Sequence, residues 1–493
     1  MTSVAKMELN SITEFQKELH ESRKNKEGVL EKIASIFYQE FEKVTWYTRI
    51  LNKIPCSVVG DDNVYVFKAN TTFHSLVYTY MVQHWPYIRV KPEHRGEYKI
   101  CWPHNRPHNT LPNAHFEVDD VVMNTFDHVW LDTYFEHFMK PGFRDHHNMC
   151  VGNVPRDEEW GDVLYPSDTD LPQPWFYSRD PCLAFPLHYC ARDTNVLHVY
   201  EVKNKIKDLL RMAKCVTDRT GKKRWVELKE VDFKMLDGVT LKSKLKKPEL
   251  WAAYSYVTPN EIAWNTECQG EEDKVFYIND VVSCDQINTK TYGKTAEVDL
   301  CCTSPCKALF WSAENVDASK KRNYSNYTTD SNVYVGWDPI QHVGLKYSET
   351  QRIKEMATHH FTRMQSWYHF PSPPSTAGYS VHSLSHDCMS IDAEVGLVFS
   401  ELKAKMFFKL QGRKFQGHKF QNPASQLYDF SAECDLESET SADEDEYLDT
   451  HTSTIEDASE PKYTSPNFRI HMRLLVLKKL TIEKKDKKYE FKI

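Results

Sequence analysis

The sequence predicts an all-β chain built as two tandem antiparallel sandwiches behind a short N-terminal helical arm. Three observations carry this reading. Aromatic residues reach 13%, with 12 Trp, 26 Tyr and 25 Phe, a bias that suits pleated, half-buried surfaces more than helical bundles. Short β-branched and aromatic runs, each bounded by Pro, Asn, Asp or Gly, fill most of the chain. Near the C-terminus Phe468, Ile470, Met472, Leu474 and Val476 alternate with Arg469, His471 and Arg473, the period of a strand buried on one side.

Taken in order, Ser11-Ile12-Thr13-Glu14 reads as a capping box opening a helix that shows Ile12, Phe15 and Leu19 on one face. Gly28 interrupts it, and Leu30, Ile33, Phe37 and Phe41 continue at helical spacing, so residues 1–43 form the arm. The first sandwich spans 44–211, from VTWYTRIL through VYVFKA, LVYTYMV and YIRV to WFYSRD, LAFPLHY and VLHVYEV. Within it LDTYFEHFM places Leu131, Tyr134, Phe135 and Phe138 on one helical face. The Lys-rich stretch 212–249 reads as a linker or exposed edge. The second sandwich, 250–493, runs from WAAYSYV through KVFYIND, KALFW, HVGLKY, GYSVHSL and AKMFFKL to the alternating strand, with an acidic loop insertion at about 430–462. Eight or so strands per block fit jelly-roll-like or immunoglobulin-like domains. The cysteine pair flanking a Trp that marks true immunoglobulin domains is not evident, which favours jelly rolls.

The 493 residues, 40% hydrophobic and 27% charged, suffice for two or three packed domains. The net charge is −8, yet 433–460 holds 12 Asp and Glu and no Lys or Arg, so the remainder carries −8 − (−12) = +4. That stretch reads as a solvated insertion. No basic stripe marks a dedicated nucleic-acid binder, and no run of apolar residues is long enough to span a bilayer. The N-terminus lacks the apolar core of a secretory signal, so the 13 cysteines are expected as reduced thiols. On the same ground the sequons at Asn70, Asn323 and Asn326 are expected to stay unmodified.

Reactive constellations at their characteristic spacings are missing from the sequence. TGKKR at 220–224 lacks the first Gly of a phosphate loop, and neither GxGxxG nor GxSxG occurs. Cys301, Cys302 and Cys306 lack both a fourth ligand and the usual CxxC spacing of a zinc site. His104 and His108 would share a helix face, but Pro103 and Pro107 argue for a loop; the doublets His146-His147 and His359-His360 point neighbours apart and read as rim or interface histidines. The sequence assigns no catalytic, cofactor-binding or metal-binding residue. Structural roles are expected instead. Val77, Tyr78 and Met81 fill a core; Trp175, Phe176 and Tyr177 fill a buried turn in which Arg179 and Asp180 pair. His342, Tyr347 and Trp367–Pro371 sit at packed strand ends, and Pro371, Pro373 and Pro374 stiffen a loop between strands.

Particular stretches then resemble the major capsid proteins of nucleocytoplasmic large DNA viruses, most of all the iridovirus type. They include ICWPHNRPHN (100–109), LDTYFEHFMKPGFRDHHNMCVGN (131–153) and LPQPWFYSRDPCLAFPLHYC (171–190). ELWAAYSYVTPNE, KALFWSAENVD with NYSNYTTD, WDPIQHVGLKYSETQRIKEMATHHF and WYHFPSPPSTAGYSVHSLS follow in the second block. The stretches keep family order over roughly four-fifths of the chain. The acidic insertion is longer than the family suggests, and the Lys-rich ending KKLTIEKKDKKYEFKI replaces small apolar residues.

The resemblance implies a double jelly roll of two eight-stranded sandwiches, homotrimers forming pseudo-hexameric capsomers, and an icosahedral shell assembled in the host cytoplasm. It also implies partners: neighbouring copies, minor capsid proteins and, as a further candidate, an inner viral membrane, without sequence-specific nucleic-acid binding. Competing readings are a minor capsid or scaffold paralogue, separated by copy number in particles; a cupin-type metalloenzyme, separated by a metal assay; and a lectin-like binder, which needs an export signal.

Overall fold

The period-two pattern builds sheets from Tyr47 onward. The computed structural model describes residues 47–59, 63–217, 221, 223–259, 262–263, 274–284, 287–289, 295–300, 302–348, 350–389, 397–410, 467–485 and 488–493. The expected helical arm, the acidic insertion and Cys301 lie outside these residues.

In the first sandwich the strand Ser75–Trp85 buries Leu76, Thr79, Met81, Gln83 and Trp85 in near-strict alternation. It pairs antiparallel with Ser167–Pro172 on one side and Glu249–Val257 on the other, and Tyr47–Ile54 completes this four-stranded sheet. The opposing five-stranded sheet runs Cys56–Val59, Val64–Lys68, Val196–Glu201, Asn113–Val118, Val121–Phe126. Phe67, Phe116, Trp175, Tyr177 and Tyr200 fill the space between them. Of the trio expected in that core, Val77 and Met81 are buried, while Tyr78 is half-buried beneath the Arg49 guanidinium.

The second sandwich sets a six-stranded sheet against a four-stranded one. The six-stranded sheet is centred on Phe468–Lys485, flanked by Lys274–Ser283 and Cys306–Asn315, with Ser380–Ser383 beyond the latter. The four-stranded sheet runs Thr295–Leu300, Ala404–Leu410, Ile340–Tyr347, Thr350–Ala357. Together these are the two jelly rolls expected, with extra strands at the edges.

Four expectations are corrected. The strand Glu249–Val257, placed at the start of the second sandwich, is an inner strand of the first; its Ala252, Ala253 and Tyr254 fit a slot that only Tyr47–Ile54 and Ser75–Trp85 provide. The stretch 212–249 is more than a linker. Arg211–Thr217, Lys223–Glu227 and Tyr98–Cys101 form one small sheet, Leu236–Asp237, Ile88–Val90 and Val163–Leu164 another. A separate core of Trp85, Ile88, Trp102, Leu210, Met212 and Leu236 lies between them. LAFPLHY forms no strand: it lies between and within two short 3-10 turns, Pro181–Leu183 and Leu187–Tyr189, and Pro186 limits its pairing to a single bridge of Phe185 with Leu76. Trp367–Pro371 begins on the helix Gln365–His369, where Trp367 and Tyr368 stand 71% and 70% exposed. The following prolines therefore join a helix to a strand.

One feature decides how the sandwiches relate. All ten residues of Cys306–Asn315 are buried. Leu309, Trp311 and Ala313 face the second core, whereas Ala308 and Phe310 join the first sandwich's core along with Ile278, Val281, Val381 and Leu475. The alternating strand behaves likewise, since His471, Arg473 and Leu475 are as buried as Met472 and Leu474. Its polar side, expected to meet solvent, meets the first sandwich.

Because Phe310 packs on Trp130, Phe138, His137 and Phe370 at centroid distances of 5.3 to 5.8 Å, Phe310→Ala is expected to cost about 3–5 kcal/mol. Denaturant unfolding followed separately by probes in each sandwich should show both transitions moving together. Loss confined to one sandwich would contradict the shared core.

Candidate functional site at the junction of the two sandwiches

With no convergent reactive groups among the described residues, the candidate site is the place where the two sandwiches are fixed to each other. Its centre is the helix His128–His137, opened by Asp127, whose carboxylate accepts from the Trp130 amide (2.8 Å). The same carboxylate binds the Arg473 guanidinium from the second sandwich. Burial would raise the Asp127 carboxyl, but Arg473, His128 and the Trp130 amide together hold it low.

One turn further, Asp132 is wholly buried and fully used. Its Oδ1 accepts from His108 Nδ1 (2.7 Å) and Asn105 Nδ2 (2.8 Å), and its Oδ2 from the Tyr327 hydroxyl (2.9 Å). Burial opposes ionisation here as well; His108, with His128 and Ser325, outweighs it and lowers the carboxyl. Asn105 adopts φ 51°, a left-handed turn that Asn tolerates, and this starts the one-turn helix Arg106–Asn109 carrying His108 inward. Ser325 donates to Asn109 (3.0 Å), a second tie to the segment that carries Tyr327. Gly378 makes room for that segment: at φ 98°, a Cβ there would lie 2.2 Å from the Tyr327 carbonyl.

Further ties surround this centre. Asn124 donates to Asp280 (2.7 Å), which also pairs with Lys478 (2.6 Å). Glu136 accepts from the Ser375 amide and hydroxyl (2.6 and 2.9 Å). Arg179 donates to the carbonyls of Cys388 and Met389 (3.3 and 3.0 Å) and lies over the Phe138 ring. It therefore does not pair with Asp180, which instead caps the next turn through the Cys182 amide (2.8 Å); the two neighbours point to different bodies. Within the second sandwich Glu314 accepts from His471 (2.6 Å) and Ser319 (2.6 Å). Burial would raise Glu314, yet His471, Ser319 and Arg469 bring it down to about 2.

The other residues singled out from the sequence do not converge. His104 pairs with Glu158 (2.6 Å) while His108 turns to Asp132. His147 lies against Phe135 at 4.1 Å and burial holds it well below the usual histidine range, whereas His146 is exposed. His359 is exposed, and His360 lies 3.3 Å from the Gln365 amide. His342 and Tyr347 belong to the strand Ile340–Tyr347. Cys302 and Cys306 are buried and directed to the carbonyls of Ser304 and Ala308. Among the described residues no group of three or more His, Cys, Asp or Glu could hold a metal ion. Asn323 and Asn326 are buried and donate to the Ser331 and Asp330 carbonyls, leaving Asn70 as the exposed sequon.

Removing the Asp132 carboxylate (Asp132→Ala) leaves His108, Asn105 and Tyr327 without their buried acceptor and is expected to cost about 3–5 kcal/mol. Tyr327→Phe should cost about 1 kcal/mol, with the two changes strongly non-additive in denaturant melts. The depressed Glu314 carboxyl contributes stability above its unfolded value of about 4.5. That contribution should fade as pH falls from there toward 2, and Glu314→Gln should flatten this part of the stability–pH curve.

Comparisons with known proteins agree with this architecture. Residues 271–431 match the family described as large eukaryotic DNA virus major capsid protein. The major capsid protein of Invertebrate iridescent virus 6 is 25% identical over 388 residues, covering 73% of this chain and 79% of that protein. That of Wiseana iridescent virus is 23% identical over 387 residues, covering 73% and 75%. In fold the chain is similar to the PBCV-1 virus capsid, with a TM-score of 0.63 at 12% identity, covering 93% of this chain and 100% of that one. It is likewise similar to the Faustovirus major capsid protein, with a TM-score of 0.61 at 7% identity, covering 92% of each. In sequence the chain is similar to the large eukaryotic DNA virus major capsid proteins, those of iridoviruses among them, and in fold to double jelly-roll capsid proteins.

Proposed function

We propose that the chain works as a major capsid protein of a large DNA virus, and that three copies close into a pseudo-hexameric capsomer. Such capsomers would tile an icosahedral shell put together in the host cytoplasm. The observation that carries this reading is the sheet buried on both faces, which makes two sandwiches one rigid body. Three such bodies around a three-fold axis present six sandwiches, a near-hexagonal outline that packs on a lattice. Closed three-fold symmetry makes each contact heterologous, so one flank of the body meets a different flank of the next.

The surface has material for such contacts. Met364, Trp367 and Tyr368 project together from one helical face and are exposed in the single chain. Large exposed aromatic groups of this kind suit a partner surface. Neighbouring capsomers and minor capsid proteins are the partners this role calls for, with an inner viral membrane as a further candidate. None of the described helices is long and apolar enough to cross a membrane, so any membrane contact made by those helices would be peripheral. The role is structural, in keeping with relatives that are capsid components.

Native mass measurement of recombinant protein tests the reading. A stable species of about three times 57.8 kDa is expected. A monomer at micromolar concentration and moderate salt would overturn the trimer, and a low copy number in purified particles would move the chain to a minor component.

A further inference from the structure

The small lobe built on Tyr98–Cys101, Arg211–Thr217 and Lys223–Glu227 has an electrostatic property unrelated to the junction. Residues 203–247 contain 15 Lys and Arg against 6 Asp and Glu, 15 − 6 = +9, in a chain whose net charge is −8. Two of those acids are used locally: Glu227 pairs with Arg211 (2.7 Å) and Asp237 with Arg89 (3.1 Å). Lys205, Lys223, Arg224, Lys229, Lys234 and Lys242 are exposed and form no ion pair among the described residues. Clustered like charge of this size repels itself and favours any counter-charge within reach.

The same chain supplies one. Residues 433–460 carry 12 Asp and Glu with no Lys or Arg. The fold also shows where that segment returns. Past it, the Asn467 carbonyl accepts from the Val316 amide (2.9 Å). Six residues beyond Val316, Arg322 donates to the carbonyls of Lys207 and Lys229, and Tyr324 donates to the Asp208 carbonyl (2.9 Å). The re-entry point and the basic lobe are thus tied through one short stretch of chain. The seven residues from Glu460 to Asn467 can span up to roughly 25 Å.

We propose that the acidic segment 433–460 docks on the basic lobe of its own chain as a built-in counter-ion. Tethering gives it a high effective concentration there, so many weak, exposed ion pairs suffice without fixed geometry. Among its apolar residues are Leu436, Tyr447, Leu448 and Ile455, and the lobe's hairpin exposes Trp225 and Val226.

Zero-length carbodiimide cross-linking of the full-length chain, read by peptide mass spectrometry, tests this. Carboxylates of 433–460 should join lysines of 203–247 several-fold more often than exposed lysines of the second sandwich such as Lys354 and Lys405. The links should fade near 1 M salt, where the screening length falls to about 3 Å. A chain with those 12 acids changed to Asn or Gln should elute from heparin at higher salt than the unaltered chain. Evenly scattered cross-links, or unchanged heparin retention, would overturn the docking. Mixing isotope-labelled and unlabelled copies adds a further check, since links mainly between copies would overturn placement on the same chain. These readouts do not require a trimer, so a failed trimer would appear in the native mass alone.

Discussion

The structure depends on one sheet being buried on both faces. A jelly roll ordinarily hides one side of each sheet and wets the other. Here the sheet containing Cys306–Asn315 and Phe468–Lys485 belongs to two cores at once. Trp311 and Met472 serve the second sandwich, Phe310 and Leu475 the junction. Relative movement of the sandwiches would expose the aromatic cluster around Phe310 to water, so the two move as one.

Burying that second face removes charged groups from water, and the structure offsets the cost by giving each buried carboxylate a partner. Asp132 uses both carboxylate oxygens, Asp280 meets Asn124 and Lys478, and Asp127 meets Arg473. An apolar junction could be as stable. Directional bonds add register, because a sheet that slid by one residue would separate each acid from its partner. What the directional bonds add here is therefore a fixed register between the sandwiches more than stability.

The fold class was legible because each strand's alternation is local. The junction was not, because its partners lie far apart: 346 residues separate Asp127 from Arg473. Arg469, His471 and Arg473 look solvent-facing in sequence, and only the opposing sandwich makes two of them interior. Trp367 and Tyr368 erred in the other direction, since bulky aromatics read as core whatever their helical phase. Glu249–Val257 was misassigned because its nearest strands along the chain are not its partners in space. The stretches that resemble the family came nearest to the junction. Asn105, His108, Asp132, Ser325 and Tyr327 all lie in them, although nothing in the sequence said that they meet.

The late position of Phe468–Lys485 also bears on biosynthesis. It pairs with Lys274–Ser283 and Cys306–Asn315, and Glu314 precedes His471 by 157 residues. At about 5–20 residues per second, translation leaves the hydrophobic Cys306–Asn315 stretch without its cover for roughly ten to thirty seconds. Throughout that interval the edge that Phe468–Lys485 will cover is open to other nascent chains, the condition under which strands aggregate. The hazard to this strand therefore falls during synthesis, before Phe468–Lys485 has left the ribosome.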